Sequence, residues 1–314
     1  MLTQDNPEHD RLRRTVTRDF AVSRSVAKRG RIQEIVNGLI DAMLAGPKPV
    51  EFVETFALQV PSLVVCEMMG VPYEEHKLFQ DLTKTMSSRH STGEQAVAAL
   101  NGILDLIRRV VHEKDNDPQD DMISRLVVEQ MRTGAMAPDE VVHMCANIFF
   151  AGLDTTTNQI ALSTLAFLRH PEALKIVRTT DDPDVIANAV EEMLRYLAIV
   201  QIGRGRVATE DFEFRGHQIK AGDGIIVAID AANHDSDAFE NPERLDLNRK
   251  SRHHIAFGWG IHQCLGQPLV RVELQTVYST LFRRIPTLAL AVPFDEIEFK
   301  DSVVYGIKAL PVTW

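Results

Sequence analysis

The stretch Phe257-Gly258-Trp259-Gly260-Ile261-His262-Gln263-Cys264-Leu265-Gly266 holds one cysteine in a glycine-punctuated loop, directly ahead of an amphipathic run that opens at Pro268. Glycine admits backbone angles and close approaches that a side chain blocks, and proline suits the first position of a helix. The pattern predicts a thiol in a tight loop, aimed from the N-terminal end of a helix. Unpaired N–H groups and the helix dipole stabilise negative charge there, so the sulfur is expected as a thiolate. A thiolate held in this way is a nucleophile or a metal ligand. Two plainer readings stand beside it. A free cysteine commonly serves as a small buried apolar residue, and His262 with Cys264 would make half of a zinc site. Structural zinc takes four ligands, and the other cysteines, Cys66 and Cys145, lie singly and far along the chain.

Working outward, a long run from Pro138 to about Arg169 contains no internal proline and opens with an acidic turn, Pro138-Asp139-Glu140, which is a helix-start signal. Apolar residues follow at near-helical spacing (Val141, Cys145, Ile148, Leu153, Ile160, Leu165). Its middle reads Ala151-Gly152-Leu153-Asp154-Thr155-Thr156-Thr157. Glycine and clustered threonine suit a helix interior poorly. The expectation is a helix that opens here to admit a ligand, with threonine hydroxyls competing for backbone hydrogen bonds. The plainer reading is a Gly/Thr kink with Asp154 in solvent. A further helical run, starting near Asp184, contains Glu191-Glu192-Met193-Leu194-Arg195-Tyr196. Glu192 and Arg195 lie three apart on one face, which by itself indicates no more than a surface ion pair.

Together these segments resemble the cytochrome P-450 family of heme-thiolate monooxygenases. The family's ligand loop reads Phe-x-x-Gly-x-His-x-Cys-x-Gly, matched here by Phe257, Gly260, His262, Cys264 and Gly266. The resemblance implies heme b (iron protoporphyrin IX) as cofactor, with Cys264 as the axial thiolate on iron and His262 hydrogen-bonded to a propionate. Phe257, Gly258 and Gly266 would shape the loop against the heme, and Ala151 and Gly152 would face it from the family's distal helix, Ala-Gly-x-(Asp/Glu)-Thr. Asp154 and Thr155 would be the acid–alcohol pair that manages protons. Glu192 and Arg195 match the family's Glu-x-x-Arg helix, with Arg244, in Pro242-Glu243-Arg244-Leu245, as third member; these three would support the loop and not react. His9 and Arg13, four apart in Pro7-Glu8-His9-Asp10-Arg11-Leu12-Arg13-Arg14, and Arg206 would anchor the propionates, arginine being suited to carboxylates. The plainer reading of all three is surface charge.

The 314 residues are enough for a large core. No apolar run approaches the roughly 18 residues of a membrane span, and Met1 is not followed by a secretory pattern. Three widely spaced cysteines exclude a disulfide framework. The expected protein is a monomer of the soluble, actinobacterial type of the family, at work in the cytoplasm and not on a membrane. A net charge of -10 argues against nucleic acid as partner. The charge is uneven: residues 1–31 carry eight Lys/Arg against four acids, or +4, leaving -14 elsewhere. Such a patch can steer an acidic partner. The resemblance implies ferredoxin and ferredoxin reductase as electron donors, with Arg11, Arg14 and Arg18 expected at the docking face, since no flavin or dinucleotide motif is present. The substrate implied is a small hydrophobic molecule; the variable region 79–106 offers no decodable pattern.

Helical patterns dominate from residue 6 to about 198, with breaks at Gly46-Pro47, Gly70-Val71-Pro72, 87–93 and 115–121. Short strands are expected over 199–232, with an apolar strand at 225–229, then again near 288–292 and 309–312. The fold class is mainly α with a small β part, in one domain over 1–314. The resemblance also implies that family segments are absent ahead of His9: the first helices, a β-hairpin and the distal loop. That would leave the 225–229 strand with an unpaired edge and the distal pocket open to water, favouring uncoupled oxygen chemistry. Two expectations compete: a truncated or misassigned reading of a full-length enzyme, which is favoured, and a genuine short variant with altered activity. The sequence Asn233-His234-Asp235 departs from an expected Asn-Arg-Asp. The competing functional reading is a catalytically impaired P-450-like helper or scaffold.

Overall fold

A 32-residue helix, Pro138–Arg169, runs through the centre of the protein, whose computed structural model describes residues 1, 3–87, 90–201, 203, 205–300, 302 and 304–314. Ahead of it come α1 (Glu8–Thr17), α2 (Val22–Ala27), α3 (Arg29–Ala45) and α4 (Gln59–Met69). α4 stops at Gly70, whose φ of 78° is the left-handed conformation favoured by glycine. A Cβ there would also strike the Asp121 side chain at 2.2 Å. Next are α5 (His76–Ser87), α6 (Gly93–Asn116) and α7 (Met122–Leu126). Ser88 and Arg89, inside the expected break at 87–93, lie outside the described residues. The long helix is α8. Pro138 sits in its first turn, and the Glu140 carboxylate accepts the Ala137 N–H at 2.8 Å, as the acidic opening foretold. After it come α9 (Pro171–Thr179), α10 (Pro183–Leu197), α11 (Ile229–Asn233) and α12 (Gln267–Arg284).

α8 packs against α4 and α6, while α12 packs against α3, α9 and α10. From Thr156 to Phe167 α8 is buried all round, as a helix at the centre of a core must be. Contrary to expectation, α8 does not open at its Gly/Thr segment; it is continuous. The threonine hydroxyls bond back along the helix instead, Thr155 to the Ala151 carbonyl and Thr157 to that of Leu153, each at 2.8 Å.

The β part is small. β1 (Val50–Glu51) pairs with the C-terminal β7 (Pro311–Thr313), which pairs with β6 (Ala289–Leu290), all antiparallel. β2 (Arg206–Val207) pairs with β5 (Gly224–Ile225), and β3 (Phe212–Phe214) with β4 (His217–Ile219) through a turn at Arg215 and Gly216, both with positive φ. The apolar strand expected over 225–229 is therefore not formed: it ends at Ile225, Ile226 and Val227 are exposed, and Ile229 begins α11. The reason is a short partner. β2 offers two residues, after which the Val227 carbonyl accepts the Gly203 N–H and Ile229 N–H donates to Gln201. Among the described residues no helix is long and apolar enough to cross a membrane.

Candidate active site

Two glycines draw the cysteine loop. Gly258 (φ 70°) and Gly260 (φ 78°) both occupy left-handed backbone that other residues adopt at a cost. Gly258 N–H donates to Ile255, Gln263 N–H to Gly260, and Cys264 N–H to the Phe257 carbonyl at 2.9 Å, which ties the two ends of the loop together. α12 then begins at Gln267, and the N–H groups of Gly266 and Gln267 donate to the Cys264 sulfur. Gly266 has an ordinary helical φ of -76°, and a Cβ built on it would stand 4.0 Å from Sγ, so the backbone does not demand glycine there. Burial pushes the Cys264 thiol up, against the pull of those two N–H groups and of Arg13 and Arg271. The helix end alone thus does not make the free sulfur a thiolate; a coordinated cation would, because it deprotonates a thiol outright. Cys66 and Cys145 are buried thiols pushed up to about 12 by desolvation. Among the described residues no group of His, Cys, Asp or Glu could hold a metal ion by itself, so the zinc reading lacks a ligand set.

Beside the loop stand the expected anchors. His9, fully buried on α1, lies 4.3 Å ring to ring from His262, and Arg13, one turn on, donates to the Gln263 carbonyl at 2.7 Å. Both ring nitrogens of His9 are buried without a hydrogen-bond partner; the nearest carboxylate oxygen, from Asp10, is 3.5 Å away. Arg206 is exposed on β2 and donates to the Gly205 carbonyl at 3.2 Å. His262 is pushed down by burial and by the charges of His9, Arg206 and Arg13, with Asp5 opposing. The four residues therefore share one patch of positive potential.

Behind the loop is a buried charge network. Arg195 and Glu192 are both fully buried and joined by two hydrogen bonds, of 2.8 and 2.9 Å. Arg195 also donates to the carbonyls of Asn233 (2.8 Å), Pro242 (2.9 Å) and Arg244 (3.3 Å). Glu192 accepts from Arg249 at 3.2 Å, the Asp246 N–H at 3.0 Å and the Ser251 hydroxyl. Burial works against its charge, but the bonds from Arg195 and Ser251 outweigh it and hold the carboxyl below its usual range. The side chain that completes this network is Arg249, which corrects the expectation of Arg244. Arg244 is exposed, and among the described residues it enters the network through its carbonyl, which accepts from Arg195 and Arg249. Asn233 links the network to the loop by accepting the Ile255 N–H at 2.8 Å.

A second network escaped sequence reading. The Glu191 carboxylate accepts two bonds from Arg271, of 2.7 and 3.0 Å, and stands 3.2 Å from His254 Nε2. Burial would raise Glu191, yet these partners hold it at about 2. The Arg271 guanidinium lies over the Phe257 ring, 4.7 Å from its centroid, and so presses on the entry to the loop. The adjacent pair Glu191-Glu192 was the available signal: two carboxylates in a buried helix need two cationic partners.

On α8, Asp154 and Thr155 are half-buried and Ala151 is exposed. Gly152 has a packing reason of its own, since a Cβ there would come within 3.0 Å of Val65 on α4. Asp154 accepts a 3.1 Å bond from Asn158 and lies 3.6 Å from Lys300. Among the described residues no hydrogen bond or ion pair joins Asp154 or Thr155 to the cysteine loop.

A family model described as "Cytochrome P450" matches residues 184–291. Cytochrome P450 GfsF of Streptomyces halstedii is 50% identical over 99% of this chain and 76% of its own length. The chain belongs to the cytochrome P450 family. Cytochrome P450-SU2 of Streptomyces griseolus is 44% identical over all of this chain and 76% of that relative. The crystal structure of mycinamicin VIII C21 methyl hydroxylase from Micromonospora griseorubida superposes with a TM-score of 0.93 at 37% identity, over 99% of this chain and 79% of that one. The mainly helical fold with small sheets is thus the cytochrome P450 fold. Members of the family are oxidoreductases that incorporate oxygen into a hydrophobic substrate, take electrons from a redox partner and carry heme b. Membership in a family of hydroxylases disfavours the scaffold reading.

The residues present fit that cofactor. Heme b brings a metal centre and two carboxylates, and the chain offers a thiol wrapped by backbone N–H groups beside a cationic patch. The orphaned nitrogens of buried His9 are the strongest sign, because an unpaired buried polar group costs about 1–3 kcal/mol.

Proposed function

We propose that this chain is a heme-thiolate monooxygenase that acts as a monomer, inserting one oxygen atom from O2 into a small hydrophobic molecule, with electrons from NAD(P)H through a ferredoxin reductase and a ferredoxin. The observation that carries this reading is the cysteine loop, in which the Cys264 sulfur receives two N–H groups at the start of α12 beside His262, His9, Arg13 and Arg206. Three free cysteines suit a reducing cytoplasm.

When bound, the heme supplies oxygen activation, which thiolate ligation promotes by favouring O–O cleavage. The rest falls to the chain. Cys264 provides the thiolate, and Phe257, Gly258 and Gly266 set its approach. His262, His9, Arg13 and Arg206 would hold the propionates through charge-assisted bonds. Ala151 and Gly152 would border the heme from α8. Asp154 holds and releases a proton, and the Thr155 hydroxyl, now donating to Ala151, turns to relay it. Glu192, Arg195 and Arg249 keep the loop in place.

The basic N-terminal patch needs revision as a ferredoxin dock. Arg11 is paired with Glu8 and Glu140, and Arg18 with Glu129, whereas Arg14 is 82% exposed and, among the described residues, meets Asp10 at 3.5 Å. Arg14 is therefore the steering charge. Reversing it to glutamate slows ferredoxin-driven reduction at low salt and leaves it unchanged at high salt; a rate indifferent to both removes the docking assignment. For the reaction itself, reconstituted enzyme is incubated with a panel of hydrophobic small molecules under labelled O2. One labelled atom in an alcohol product is expected, and label in water and peroxide alone refutes the insertion.

A further inference from the structure

Lys300 is the cation that meets the distal acid. Its ammonium group donates to Asn158 Oδ1 at 2.9 Å and stands 3.6 Å from Asp154 Oδ1. Asn158 donates through Nδ2 to the same Asp154 oxygen at 3.1 Å and to the Asp154 carbonyl at 2.9 Å. Its amide is thus spanned: oxygen to the lysine, nitrogen to the acid. Asn158 is fully buried, and its orientation is set from outside as well. A Cβ on Gly306 would fall 2.1 Å from Asn158 Oδ1, so glycine at 306 is what lets the chain close on the amide. The segment that carries Lys300 is itself fastened. Lys300 N–H donates to the Gly306 carbonyl at 2.8 Å, Phe299 bridges Ile307, and the Phe299 and Tyr305 rings stack 5.4 Å apart. Tyr305 N–H donates to Ile199 at 2.8 Å, beyond the end of α10.

A half-exposed ion pair contributes little to stability, so stability does not explain why a buried amide and a close glycine approach are arranged around this one. We propose that Lys300, acting through Asn158, is a positioning residue for Asp154: it pins Oδ1 of the carboxylate and leaves Oδ2 to exchange a proton with water. This rests on the proton-handling role proposed for Asp154. Insertion into a C–H bond consumes O2, two electrons and two protons and releases one water besides the alcohol. When the protons are misdelivered, the same O2, electrons and protons leave as hydrogen peroxide. A carboxylate free to change rotamer delivers them less reliably, so the lysine acts on coupling and on the proton step, not on substrate affinity.

The test is a double-mutant cycle with Lys300→Met, Asp154→Asn and both together, with Lys300→Arg as the conservative variant. The first readout needs no turnover: Lys300→Met lowers the unfolding midpoint by about 1–3 °C in the wild-type background and not in Asp154→Asn, because the pair is then already broken. The second is O2 consumption by the heme-loaded chain driven by NAD(P)H, reductase and ferredoxin, in light and heavy water. Asp154→Asn slows it by about 100-fold. Lys300→Met slows it by about ten-fold, raises the solvent isotope effect, and adds nothing to Asp154→Asn; Lys300→Arg recovers the rate. If Asp154→Asn leaves the rate unchanged, the role of Asp154 falls and the inference falls with it. If Asp154→Asn is slow while Lys300→Met is not, or if the two losses multiply, the inference alone is overturned.

Discussion

Around Glu192 and Arg195 every contact is inward and paired: two fully buried charges, main-chain carbonyls from 233, 242 and 244, and further donors from Asp246, Arg249 and Ser251. Around Asp154 and Thr155 the picture is the reverse. Thr155 bonds back to its own helix, and Asp154 meets one amide and one half-exposed lysine. The first region spends its charges on shape. The second holds Asp154 through one carboxylate oxygen and stays outside any fully buried charge network, which suits a group that must exchange a proton. A mutation in the proximal network should therefore be read in stability, and one on α8 in chemistry.

The sharpest way to break this comparison is Glu192→Ala. It leaves Arg195 buried and uncompensated, and is expected to cost about 3–5 kcal/mol in urea unfolding. A loss below about 1 kcal/mol would put the proximal network on the same footing as a surface pair.

Next comes pH. Glu273 on α12 is buried, with one oxygen lacking a partner, and burial raises it to about 8 from an ordinary 4.5. Between those values the folded state holds a proton that the unfolded state releases, so stability falls as pH rises from about 4.5 to about 8 and then levels. Glu191 has the opposite sign. Its value of about 2 means that its stabilising contribution is complete above 4.5 and is lost as pH falls toward 2. Unfolding measured across pH should show Glu273→Gln flattening the neutral limb only; a wild-type neutral limb that rises with pH contradicts the assignment.

A smaller effect separates two arginines. Arg249→Ala removes a donor to buried Glu192 and should cost about 1–3 kcal/mol, while Arg244→Ala, which keeps its carbonyl, should stay within about 0.5 kcal/mol. Equal costs would restore Arg244 to the network. Asp154→Asn should also shift stability little, by less than about 1 kcal/mol, despite its large effect on oxygen consumption.

What could be read without coordinates was local. The glycines at 258 and 260 and the proline at 268 announce a loop and a helix start within ten residues, and Pro138 with Glu140 announces α8. What could not be read depends on distant partners. Arg244 and Arg249 both follow Pro242 closely, and only the turns between them decide which reaches Glu192. The run at 225–229 looks like a strand until its partner proves two residues long. Lys300 lies 142 residues from Asn158, beyond the reach of any spacing rule. Gly152 lies in a segment whose composition points to a ligand, and the structure adds Val65 as a neighbour that no single-chain pattern reveals.

The most direct measurement is the absorption spectrum of the heme-reconstituted chain, reduced and exposed to carbon monoxide, beside that of Cys264→Ala. A strongly red-shifted Soret band that is lost in Cys264→Ala is the expected result, because it requires the Cys264 thiolate on iron in a loop held by its buried charges. A band at the position of histidine- or thiol-ligated heme, one unchanged in Cys264→Ala, or no heme uptake would contradict the assignment of Cys264 and the site built around it.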